Sequence, residues 1–268
     1  MTRSRTILAA ALVLLLAPLL APTRAAEPVD LAFTADCDGS TERVVELLPP
    51  DFDTAVPHDL LIALHGHGAD RWQFIREARD ECRGTREAAA RHGAILLCPD
   101  YRAPTSWMGP KAEADLVQII AAAKERHRIG RVFVSGGSMG GTGALTFAAL
   151  HPDLVDGVCS LNGTANLVDY ERFLEAIAAS YGGTKEEVPE EYRKRSAEFH
   201  AEALSMPVAL TTGGRDDIVP PESVLRLHQT LAARGRPVLL LHRPERGHDT
   251  DLADTTAALD FLFLFPRR

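Results

Sequence analysis

Residues 132 to 145, VFVSGGSMGGTGAL, leave the backbone few paths to follow. The apolar run Val132 to Val134, rich in β-branched residues, reads as a buried strand. The small residues and helix formers from Met139 to Leu150 read as a helix. Between them, Gly136-Gly137-Ser138-Met139-Gly140 must reverse the chain almost at once. A strand that turns so sharply into a helix brings two backbones into contact, and a glycine on either side of the serine leaves room for it. Ser138 is left at the tip of the turn. A glycine-rich turn with an incidental serine would share this pattern, so the rest of the chain has to decide between them.

A serine hydroxyl becomes a useful nucleophile when a base takes its proton and an acid holds that base in the right tautomer. Both residue types follow downstream, each after a short apolar strand. PVALTT, residues 207 to 212, runs into GGRDDIVPP and presents Asp216 and Asp217. The strand Pro237 to His242 runs into RPERGHDTD, with His248 directly after Gly247. Upstream, the buried strand in LLIALHGHG ends in His65-Gly66-His67-Gly68.

Together LHGHG, CPDYR at 98 to 102, GGSMGG, HPDLVDGV at 151 to 158, GGRDDIVPP and RGHDT make the chain resemble the α/β-hydrolases of the esterase and prolyl-oligopeptidase-like superfamily. The resemblance covers nearly all of the chain after its leader. It implies the chain order Ser, acid, His, hence a catalytic triad of Ser138, Asp216 and His248, with Asp217 left to cap a turn or face solvent. It also implies an oxyanion hole built from the backbone N–H groups of Met139 and His67, with His65 holding the loop. Such a site needs no cofactor and no metal. Relatives with an aspartate or cysteine nucleophile do not fit Ser138. The implied activity is hydrolysis of carboxylic esters through an acyl-enzyme, with acetyl or feruloyl esters on polysaccharide as the substrate suggested by analogy. An exopeptidase of the prolyl-oligopeptidase type, a thioesterase or a lactonase would share the triad, and an exported ligand-binding module on the same scaffold would show no turnover. The propeller of large prolyl oligopeptidases has no room in 268 residues, which weighs against an endopeptidase.

From residue 42 onward, strand and helix signals alternate. Strands are expected at 43–48, 60–64, 94–98, 131–134, 157–161, 207–211 and 238–242. Helices are expected at 71–91, 111–127, 139–149, 221–234 and 251–263. Short apolar strands between amphipathic helices predict an α/β fold, a mostly parallel sheet covered on both faces, in one domain from residue 26 to 268. Residues 162–206 interrupt the alternation just where a helical cap over the site would be inserted, with Phe173, Leu174 and Ile177 as its apolar stripe. Two further residues are candidate substrate contacts. Trp107, in APTSWMGP, would stack on a sugar or aromatic acyl group if exposed, or simply pack. Asn162 would hydrogen-bond substrate or hold the cap, and Asn162-Gly163-Thr164 also reads as a glycosylation sequon.

The amino terminus fixes the expected setting. Arg3 and Arg5 precede an apolar run from Ile7 to Ala21, and small residues surround Ala25, so residues 1–25 read as a signal peptide and the chain as secreted or periplasmic. Pro18 and the shortness of the run weigh against a membrane anchor. Cleavage would move the formal charge from -8 to about -11, so neither nucleic acid nor a stable membrane association is expected as a partner. The expected partner is a small-molecule or polysaccharide-linked ester. Of the four cysteines, Cys98 and Cys159 end core strands as small hydrophobes, and Cys37 with Cys82 is the expected bridge. No His or Cys pair has metal-site spacing.

Overall fold

The short apolar runs assemble into one eight-stranded sheet in a computed structural model that describes residues 27–266. The expected signal peptide lies outside the described residues. The strands are β1 (Val29–Thr34), β2 (Thr41–Leu47), β3 (His58–Leu64), β4 (Ile95–Pro99), β5 (Ile129–Gly137), β6 (Gly157–Leu161), β7 (Val208–Gly213) and β8 (Val238–Arg243). They lie in the order β1-β2-β4-β3-β5-β6-β7-β8, with β2 antiparallel to both neighbours and every pair from β4 to β8 parallel. The chain winds outward from β3 to β4, then crosses back to place β5 on the other side of β3. That reversal opens a crevice at the carboxyl ends of β3 and β5, where ligands of such sheets bind.

Helices cover both faces. The helices α3 (Pro110–Arg126), α4 (Met139–Leu150) and α7 (Glu222–Ala233) pack on one, and α1 (Gln73–Arg76), α2 (Asp80–Arg91) and α8 (Leu252–Leu264) on the other. In α4 every residue from Met139 to Ala149 is buried, which is why it is built of Gly, Ala and Thr with no charge.

Three expectations are corrected. The alternation expected from residue 42 onward leaves out β1, whose alternating Leu31 and Phe33 turn toward the core. The helix expected at 71–91 is two helices, because Glu77 is extended and the Arg86 guanidinium donates to the carbonyls of Phe74 and Glu77 that a continuous helix would have used. Cys37 and Cys82 do not pair, and all four thiols are free. The Cys37 thiol lies 3.7 Å from the Asp115 carboxylate of α3, whereas Cys82 is buried under the opposite face, so the sheet stands between them.

Residues 162–206 hold α5 (Leu174–Tyr181), α6 (Pro189–Lys194) and a 3-10 turn (Ala197–His200). Of the expected stripe only Ile177 is buried; Leu174 faces solvent. The segment is anchored instead by Arg195, whose side chain is 0% exposed. Its guanidinium donates to Glu113 at 2.7 Å, Glu191 at 3.0 Å and the Met108 carbonyl at 2.7 Å, tying α6 to α3 and to the loop before it. Burial acts to raise the Glu113 carboxyl, but hydrogen bonds from His151 and Arg195 outweigh it and hold its pKa at about 2. Glu113→Gln leaves a buried guanidinium short of a counter-charge and is expected to cost about 3 kcal/mol at neutral pH. The folded pKa lies below the ordinary 4.5, so this stabilisation is full above about pH 4.5 and disappears as pH falls toward 2. Urea unfolding should show the gap between wild type and variant closing over that window.

Candidate active site

Ser138 sits where β5 turns into α4, with φ 56° and ψ -118°, a strained conformation for a residue with a side chain. Its amide donates to the Leu161 carbonyl at 2.8 Å, which fastens the turn to β6. A Cβ on Gly140 would land on the Leu64 carbonyl of β3, and one on Gly136 would meet the Gly140 backbone. The two glycines therefore let strand, turn and helix pass within contact distance, and the side chain of Ser138 is left pointing into the crevice.

The next two elements bring the acid and the base to it. Asp216 follows β7 and His248 follows β8. His248 Nε2 lies 2.9 Å from Ser138 Oγ, and His248 Nδ1 lies 2.7 Å from Asp216 Oδ2. The Asp216 side chain is fully buried, and its Oδ1 accepts from the amides of Ile218 at 3.0 Å and Val219 at 2.8 Å. Burial acts to raise this carboxyl, but the hydrogen bonds from His248, Val219 and Ile218 outweigh it and hold it below its ordinary value. Asp216 is thus ionised and acceptor-only, and it places the imidazole proton on Nδ1. Nε2 is then left as an acceptor facing the serine hydroxyl. Asp217 is exposed and touches none of these groups with its carboxylate.

The loop after β3 closes the other side. Met139 is the first residue of α4, and the helix leaves its N–H without an intrahelical acceptor. The His67 amide has no acceptor among the described residues, whereas the Gly66 amide is taken by Gln73 Oε1 at 2.7 Å. His65 is buried with its ring nitrogens against the carbonyls of Gly66 and Asp100, and its own carbonyl accepts from the Tyr101 hydroxyl. His65 and Gln73 therefore hold the loop that presents His67. Sequence reasoning missed Gln73. Its only signal was a polar residue on the otherwise apolar inner side of a short helix.

The two candidate substrate contacts fall differently. Trp107 is 0% exposed, which rules out the stacking platform; its indole N–H donates to His67 Nδ1 at 3.2 Å. Asn162 does line the cleft, but its amide is committed to the protein. Its Oδ1 accepts from the hydroxyls of Thr211 and Thr250, and its Nδ2 approaches Asp216 Oδ2 at 3.5 Å. At 5% exposure it is no glycan acceptor in the folded protein.

The cleft holds about 240 Å³. Ser138, His248, His67, Gln73 and Phe173 line it, with Arg79 and Glu81 at the α2 side. Phe173 is the residue of the 162–206 segment that turns a ring into it, 37% exposed and tilted against His67 at 4.3 Å between centroids. Among the described residues no group of acidic, His or Cys side chains is arranged to hold a metal ion, and no helix is long and apolar enough to cross a membrane.

Comparison with known proteins adds the family. A search of curated protein sequences returned no match. Among solved structures, the fluorophosphonate-binding serine hydrolase F of Staphylococcus aureus superposes with a TM-score of 0.67 at 16% identity, over 90% of this chain and 99% of that one. A ferulic acid esterase gives 0.68 at 15% identity, over 90% and 99%. A puromycin-hydrolyzing peptidase of Mycobacterium tuberculosis gives 0.72 at 18% identity, over 93% of this chain but only 40% of the peptidase. These likenesses establish the α/β-hydrolase fold. Residues 105–262, more than half of the chain and including the serine turn, the acid and the base, match the prolyl oligopeptidase family of peptidases S9, and the chain belongs to that family of serine hydrolases.

Proposed function

We propose that the protein is an exported carboxylic ester hydrolase acting through a Ser138–His248–Asp216 triad. The observation that carries this reading is the unbroken hydrogen-bond path from Asp216 through His248 to the Ser138 hydroxyl, ending beside two uncommitted backbone amides. Ser138 Oγ attacks the ester carbonyl while His248 Nε2 takes its proton, and the amides of Met139 and His67 receive the oxyanion. The ester C–O bond then breaks, and His248 returns the proton to the departing alcohol. Water repeats the sequence on the acyl-enzyme.

A cleft of about 240 Å³ lies below the ordinary range for small-molecule pockets, which suits a short or flat acyl group and not a long chain. Acetyl and feruloyl esters presented outside the cytoplasm fit both that size and the expected leader. An exopeptidase acting on short peptides is the second reading. It draws on the family match and on the charged pair Arg79–Glu81 lining the α2 side of the cleft, which a charged chain terminus would have to part.

A panel of p-nitrophenyl esters from acetate to palmitate, with methyl ferulate and p-nitroanilide amides, separates the two. Turnover is expected to fall steeply with acyl length beyond a few carbons and to be weak on amides. Preferred turnover of amides would replace the esterase reading with the peptidase one.

A further inference from the structure

His67 has a second polar group that the oxyanion role leaves unused. Trp107 is buried and its indole nitrogen can only donate, so the 3.2 Å contact with His67 Nδ1 requires Nδ1 to be the acceptor. A neutral imidazole with Nδ1 accepting carries its proton on Nε2. Nε2 has no acceptor among the described residues, and it is not one of the enclosed polar atoms left without a partner. The ring lines the same cleft as Ser138, so this donor is open to a ligand. Burial lowers the affinity of the ring for a second proton, which keeps it neutral.

The surroundings of the donor are aromatic. Phe173 packs tilted against His67, 4.3 Å between centroids with the planes 38° apart, and Trp107 backs both rings, 5.9 Å from His67 and 5.4 Å from Phe173. Phe173 also holds a left-handed backbone conformation at the start of α5, with φ 54°. That conformation is one a bulky residue rarely adopts, and it sets the Phe173 ring at the cleft wall. A fixed donor beside a π surface recognises a flat group that carries an oxygen acceptor at its edge.

We propose that the His67 imidazole is a specificity determinant of the cleft, held by Trp107 as its Nε2–H tautomer to donate to an oxygen on a flat, oxygenated aromatic acyl group. Trp107 is the positioning residue and never touches the substrate. This inference rests on the esterase reading for its substrate and on geometry alone for its tautomer, so the two are tested apart.

Long-range ¹H–¹⁵N spectra of the histidines, assigned with His67→Phe, are expected to show His67 neutral with its proton on Nε2. In Trp107→Phe, which keeps a buried ring but removes the indole donor, the two tautomers should become mixed. Kinetically, wild type is expected to prefer methyl ferulate to methyl cinnamate about tenfold in kcat/KM. His67→Phe keeps a ring against Phe173 but also takes the acceptor from the buried indole N–H, so it is paired with the double variant His67→Phe/Trp107→Phe, which leaves no indole N–H unpaired; both should bring that ratio to about one. A proton on Nδ1, or a ratio that survives in His67→Phe, overturns the proposal. So does Ser138-dependent hydrolysis of p-nitrophenyl acetate with neither cinnamate ester turned over, an outcome that leaves the esterase reading intact. Absence of turnover on every ester removes that reading, and the substrate assignment made here with it.

Discussion

Ser138→Ala is expected to lower kcat by about 10⁴- to 10⁶-fold on any ester the protein hydrolyses, with little change in KM or melting temperature. The size of the effect follows from what the hydroxyl does. In the proposed mechanism it is the group that bonds to the acyl carbon, and without it His248 would have no proton to take and Asp216 no imidazolium to stabilise. What would remain is hydrolysis by water in a cleft that keeps the two backbone amides assigned to the oxyanion in that mechanism. The small effect on stability follows from the contacts. The side chain is half-buried, and its hydroxyl pairs with His248 Nε2, which faces the cleft and can be rehydrated when the hydroxyl is lost. The strain of φ 56° stays with alanine, so no stabilisation is expected from relief of it. Measuring kcat and thermal unfolding on the same preparations decides the matter. Activity within tenfold of wild type would remove Ser138 as the nucleophile.

The site was legible in the sequence where the constraint is local. Gly136 and Gly140 are required by a backbone contact within a few residues of Ser138, and that contact is readable without the rest of the chain. Asp216 and His248 were legible because each follows a short apolar strand, and a parallel sheet brings the ends of such strands to one edge. What was not legible depends on distant partners. The break between α1 and α2 is set by the Arg86 side chain reaching back to two carbonyls, and no proline or glycine marks it. For Trp107 the loop sequence leaves stacking on substrate and simple packing both open, and the rings of His67, Tyr170 and Phe173 around it settle on packing. Asn162, after a strand at the right edge, is expected to hydrogen-bond substrate or hold the cap. Two threonines from β7 and from the loop after His248 turn its amide toward Asp216 instead. The cysteine pairing failed for the same reason, since sequence spacing says nothing about which face of the sheet a residue reaches.

Asp216→Asn should cost about 10⁴-fold in kcat while the neighbouring Asp217→Asn leaves kcat unchanged. The two positions differ by one residue and the argument is one of proton placement. In wild type, Oδ1 accepts from the amides of Ile218 and Val219, and Oδ2 accepts from His248 Nδ1. An asparagine must keep its oxygen toward the two backbone amides, because a side-chain NH₂ there would face donors. Its NH₂ is then turned on His248 Nδ1, which must accept. The imidazole proton moves to Nε2, and a protonated Nε2 cannot take the proton of Ser138. The same turn sets the new NH₂ against Asn162 Nδ2, so a weak contact becomes donor against donor. Substrate binding is untouched by this change, and the loss should therefore appear in kcat and not in KM. Asp217 presents its carboxylate to solvent, and its amide substitute changes only a surface charge. If Asp217→Asn proved the crippling variant, or Asp216→Asn kept a tenth of wild-type kcat, the acid of the triad would have to be sought elsewhere. A long-range ¹H–¹⁵N spectrum of His248 gives the independent check, with the proton expected on Nδ1 in wild type and on Nε2 in Asp216→Asn.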